Sequence, residues 1–149
     1  MMIDIIRKLN WRTPKMHDMP DKRIFSDSRP VIGLDFDGVL HKYTGWTGSI
    51  PKGPPVEGAL SSVLWLVENG FRLFIFSTRA YNNPEGEEGI KQWLKLHSFP
   101  SIEVADGKWH ADLYVDDRGF RFEGPESWKV LLNLLSVSPK PGRWGGEEI

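Results

Sequence analysis

Two aspartates stand one residue apart at the end of an apolar run, in the stretch VIGLDFDGVL at residues 31–40. Asp35 and Asp37 are like charges, and burial beside a strand raises the cost of keeping both ionised. A second acidic pair, Asp116 and Asp117, closes ADLYVDD, and Ser77, Thr78 and Arg79 follow the apolar run FRLFIF. Lys108 lies between these last two groups. Carboxylates gather where a hard cation offsets their charge, and Mg²⁺ is typically held by one or two of them plus waters and phosphate oxygens. Hydroxyl and lysine groups suit the remaining phosphate oxygens. An aspartate beside a metal is a competent nucleophile at phosphorus. The residue types are those of metal-assisted phosphoryl transfer.

The elements that must position these groups follow from periodicity. Residues 31–34 are an apolar run, 71–76 another broken only by Arg72, 102–104 is a weaker one, and ADLYVDD contains a fourth. Val56, Leu60, Val63, Leu64 and Val67 recur at helical spacing and stop at Asn69-Gly70. Ile90, Trp93, Leu94 and His97 mark a second helix before Pro100, after a polar STRAYNNPEG loop, and Trp128, Leu131, Leu132 and Leu135 a last one. Strands alternating with helices predict parallel βαβ units covered on both faces. In such sheets ligands bind beyond the carboxyl ends of the strands. Asp35, Asp37, Ser77, Thr78, Asp116 and Asp117 all fall just past apolar runs, so parallel strands would bring them to one edge.

At these residues the chain resembles the haloacid dehalogenase (HAD) superfamily of phosphohydrolases. The family pattern is a strand followed by D-x-D-G (here LDFDGVL), a strand ending in Ser or Thr (LFIFST), a lysine (Lys108) and a strand ending in acidic residues (LYVDD). All four occur in order. The segment KWHADLYVDDRGFRF is similar to a small capless subgroup. The Ser-x-Arg of Ser77 and Arg79 is similar to the phosphatase half of phage polynucleotide kinase-phosphatases.

The resemblance implies a three-layer, Rossmann-like, doubly wound and mostly parallel sheet without a cap domain. It implies Mg²⁺-dependent phosphomonoester hydrolysis with Asp35 as nucleophile and Asp37 as the acid that protonates the leaving oxygen and later the base that activates water. Ser77 would hold the transferring phosphoryl group, with Thr78 a second occupant of that position, and Lys108 would neutralise it. Asp116 and Asp117 would hold the metal with Asp35 and the backbone carbonyl of Asp37. Arg79 is a candidate substrate contact.

Simpler readings stand beside these. Asp-Gly is ordinary turn chemistry, and an EF-hand fails because Val39 and Trp46 occupy ligand positions. The four histidines, His17, His41, His97 and His110, have no metal-ligand spacing and read as structural or exposed. Tyr43 and Trp46 lie in the glycine-rich segment after the first motif, where stacking on a base is one reading and a hydrophobic flap tip the other.

The 149 residues favour one domain, with 40% hydrophobic and 26% charged residues and no cysteine. No secretory leader or membrane-length apolar run is present, and the expectation is a cytoplasmic protein with no membrane partner. The net charge of -1 hides an arm at residues 1–29, carrying a short apolar-faced helix and a basic excess. The compact part is expected over 30–137, followed by an irregular tail over 138–149. The substrate class consistent with a capless site and a basic arm is a nucleotide or nucleic-acid end phosphate. The alternatives are a small-metabolite phosphate and a non-catalytic binding module on the same fold.

Overall fold

The structure, a computed structural model, describes residues 29–137. The basic arm, with its expected helix and its Trp11 and Phe25, and the tail after Val137 lie outside the described residues.

The first strand, β1 (Val31–Asp35), is buried through its middle three residues. Helix α1 (Ala59–Glu68) begins after Gly58 and ends where Asn69 donates its N–H to the Trp65 carbonyl and Gly70 donates its own to the Val67 carbonyl. Strand β2 (Arg72–Phe76) repeats the burial pattern of β1. Helix α2 (Pro84–Leu96) starts three residues inside the stretch expected to be loop. Pro84 supplies a pre-set φ in the first turn, Glu85 and Glu87 face the positive end of the helix dipole, and Lys95 sits at the negative end. Two short strands follow, β3 (Glu103–Val104) and β4 (Leu113–Val115), then helix α3 (Ser127–Val137).

The four strands form one all-parallel sheet in the order β3-β2-β1-β4. Side chains alternate across it, as strand geometry requires. Ile32, Leu34, Leu73, Ile75 and Val104 point to one face, where Val63 of α1 and Ile90, Trp93 and Leu94 of α2 cover them. Burying each of these side chains contributes about 1.5–3 kcal/mol. Trp93 also donates its Nε1–H to the Gly53 carbonyl at 2.9 Å, tying α2 to the loop after β1.

The opposite face is closed differently. Phe74 is fully buried there against Ala105, Trp109, Ala111, Phe76 and Tyr114. Residues 105–112, joining β3 to β4, run over this face in place of a helix. The Tyr114 hydroxyl donates to the Trp109 carbonyl, and Val31 donates its N–H to the Asp112 carboxylate at 2.7 Å. Among the described residues no helix joins that cluster. Helix α3 has the expected position and apolar spacing, but it touches no other described element, and Trp128, Val130 and Leu132 are exposed among the described residues. The described architecture is a parallel α/β sheet with two helices on one face. No described helix is long and apolar enough to cross a membrane.

Candidate active site

Strand β1 runs at the centre of the sheet. From it the chain winds outward through β2 and β3, then returns to β4 on the other side of β1. The carboxyl ends of β1 and β4 therefore border the point where the winding reverses, the usual place for a ligand in an open parallel sheet. Asp35 is the last residue of β1, and Asp116 and Asp117 directly follow β4. Each offers a carboxylate oxygen, and these oxygens lie within 4.8 Å of one another. Around a small cation with bonds of about 2.1 Å, opposite ligands stand about 4.2 Å apart, so the three carboxylates are near enough to approach one cation. The donors are all hard carboxylate oxygens, which suit a hard cation such as Mg²⁺, Ca²⁺ or Mn²⁺ rather than a thiophilic metal.

Gly38 closes this cluster. Its φ is +90°, and a Cβ there would sit 2.3 Å from Asp117 Oδ2. The glycine of D-x-D-G is thus required both by backbone conformation and by the approach of the second acidic pair.

Burial pushes the Asp35 carboxyl up from its ordinary 3.8 to about 7, and the charges of Asp116, Asp117 and Asp37 push in the same direction. The Phe36 N–H, donated to Asp35 Oδ1 at 2.7 Å, opposes them. The consequence for stability has a definite sign. The folded chain keeps this proton up to about pH 7, whereas the unfolded chain loses it near 3.8. Between those values the folded state binds more protons, so stability falls as pH rises and levels off above about 7. A divalent cation favours the ionised form. A divalent cation held by these carboxylates, with Mg²⁺ as the probe, is therefore expected to raise the thermal midpoint more at pH 8 than at pH 5. Equal shifts at the two pH values in a differential scan would contradict this.

Asp37 faces a different environment. Arg79 donates Nε–H to its Oδ2 at 3.1 Å and Nη2–H to its Oδ1 at 3.0 Å. His41 Nδ1 lies 2.7 Å from the same Oδ1, and His41 Nε2 lies 2.6 Å from the Lys52 carbonyl oxygen. The carboxylates within ligand reach of one another are those of Asp35, Asp116 and Asp117, while that of Asp37 is held by Arg79 and His41. His41 is buried, its ring stacked on Phe36 and edge-on to Trp93. Its part in holding Asp37 is invisible in the sequence, where only a four-residue spacing hints at it.

Asp35, Asp37, Ser77, Thr78 and Asp116 line one cleft of ≈ 260 Å³ with Tyr43, Trp46, Phe76 and Arg118. Ser77 Oγ accepts the Arg79 N–H at 3.2 Å, which leaves its own proton to donate elsewhere. Thr78 is exposed at the rim. Two cations differ from expectation. Arg79, a candidate substrate contact by sequence, is 1% exposed, and its guanidinium is taken up by Asp37 and by flap carbonyls. Lys108 stands on the segment that crosses the far face of the sheet, and its ammonium rests 4.3 Å from the centre of the Tyr114 ring. It lies outside the residues lining the cleft, where Arg118 is the cation instead. No family model, curated protein or solved structure matches this chain.

Proposed function

We propose that the protein is a Mg²⁺-dependent phosphomonoester hydrolase of the HAD type, working through an aspartyl-phosphate. The observation that carries this reading is the meeting of Asp35, Asp116 and Asp117 in ligand reach of one another, with Asp37 and Ser77 in the same cleft. The finer fold assignment, a capless three-layer HAD-like domain, belongs to the same proposal. In its support, the described chain between β1 and α1, and between β2 and β3, holds one flap and one helix and no further domain.

Asp35, Asp116 and Asp117 would hold the cation, whose charge offsets theirs and that of the phosphate. An Asp35 carboxylate oxygen attacks phosphorus as the bond to the leaving oxygen breaks. Asp37 gives that oxygen its proton. Asp37 then takes a proton from water, which attacks the phosphorus of the aspartyl-phosphate and releases Asp35 and inorganic phosphate. Ser77 donates its hydroxyl proton to a phosphoryl oxygen, and Arg118 supplies positive charge at the cleft. Lys108 serves the same phosphate only by leaving the Tyr114 ring. We further assign the substrate to the nucleotide or nucleic-acid-end class, supported by the uncapped cleft and by Tyr43 and Trp46 at its wall.

The test is turnover of 3′- and 5′-phosphorylated oligonucleotides, mononucleotides and sugar phosphates, each with Mg²⁺ and with EDTA. Hydrolysis that needs Mg²⁺ and favours base-bearing esters is expected. Preference for sugar phosphates would make it a metabolite phosphatase, and absence of turnover on every ester would leave a binding module.

A further inference from the structure

Arg79 has the largest fully buried side chain among the described residues, and no step of the chemistry uses it. A guanidinium has five N–H donors. Two go to the two oxygens of Asp37, and Nη1 donates to the carbonyls of Gly48 and, at 3.4 Å, Ser49. The Trp46 ring covers the guanidinium carbon at 4.5 Å from its centroid. Gly48, Ser49 and Trp46 all belong to the flap, residues 42–55, so one side chain grips both the carboxylate and the flap.

The backbone of Arg79 is fixed as firmly. Asn83 Nδ2 donates to its carbonyl at 3.1 Å, and the first turn of α2 passes so close that a Cβ on Gly86 would lie 1.9 Å from that oxygen. A buried ion pair is weak evidence of stability, since its desolvation offsets its attraction. What a bidentate fork does supply is orientation, because its two parallel bonds set the plane of the carboxylate.

We infer that Arg79 is a positioning residue: it orients Asp37 for proton transfer and ties the flap to that orientation, so that the seating of the flap and the aim of the acid change together. The catalytic half of this inference rests on the phosphatase reading. The tie between Arg79 and the flap does not.

A leaving-group comparison separates positioning from mere support. Nitrophenolate leaves without a proton, whereas an alkoxide needs one, and kcat/KM reports the step in which either departs. In Arg79→Lys, kcat/KM for an alkyl phosphate is expected to fall about 100-fold, within the range of general acid catalysis, and for 4-nitrophenyl phosphate less than about 10-fold. An equal fall on both esters would overturn the positioning role. Trp46→Leu guards against misfolding, because Trp46 is 60% exposed. It uncovers the guanidinium, and because Trp46 also walls the cleft where an aryl ester would sit, this variant is read by flap exchange alone.

Amide hydrogen exchange tests the tie independently. Residues 43–50 are expected to exchange faster in Arg79→Lys and Trp46→Leu, with β2 unchanged, and unaltered flap exchange would overturn it. If the wild-type chain with Mg²⁺ hydrolyses neither these esters nor any of the nucleotide and sugar phosphates, the phosphatase reading fails. The exchange result then decides the tie alone.

Discussion

Asp35→Asn is expected to lower turnover of an aryl phosphate by about 10⁴-fold or more, because an amide cannot form the acyl-phosphate bond. The loss should come without unfolding. Asp35 is a partly buried carboxylate whose proton is held up to about pH 7, first by burial and then by the charges of Asp116, Asp117 and Asp37. Asparagine removes that unfavourable ionisation while keeping an oxygen to accept the Phe36 N–H. Without metal at pH 8 the variant should therefore melt no lower than the wild type. A single-turnover assay with radiolabelled phosphate checks the chemistry directly, since no phosphorylated chain should accumulate. Retention of more than a few per cent of activity would remove Asp35 as nucleophile.

Asp37 yields the second large effect, and here the choice of substitution matters. General acid–base catalysis contributes about 10²–10⁴-fold, so both Asp37→Asn and Asp37→Ala should lose that much for an alkyl phosphate. Their stabilities should differ. The Arg79 guanidinium is fully buried and has Asp37 as its ion-pair partner. Alanine leaves that charge unpaired, a change that costs about 3–5 kcal/mol in buried pairs. Asparagine keeps one acceptor for the fork and should cost markedly less. Chemical denaturation of the two variants checks this, and equal midpoints would mean that Arg79 finds other acceptors without loss.

Strands β1 and β2 were readable because buried parallel strands are continuous apolar runs, and both stop at the polar residues of the site. The convergence of Asp35, Asp116 and Asp117 followed from parallel pairing alone, which fixes which ends of the strands share an edge. The start of α2 was hidden because Pro-Glu-Gly reads as loop, and the close approach of Gly86 to the Arg79 carbonyl is a tertiary contact. The same holds for Arg79 itself, whose partner lies 42 residues away in sequence. A buried arginine and an exposed one have the same letter, and only the fold distinguishes them. The resting place of Lys108 depends on which face the β3–β4 segment crosses, and apolar spacing in so short a stretch does not encode it. Helix α3 shows the limit of periodicity from the other side, since its apolar stripe foretold the helix but not what, if anything, it meets.

Strand β4 has three residues, pairs on one side only among the described residues and ends at the acidic pair. Short edge strands are among the first parts of a domain to open, because few hydrogen bonds hold them. A cation shared between Asp35 on the central strand and Asp116 and Asp117 on the edge would be a cross-strand stitch, added where the backbone ladder is thinnest. In that arrangement the ligand completes the sheet as well as the chemistry, and the opening rate of one edge becomes a gauge of the metal's occupancy.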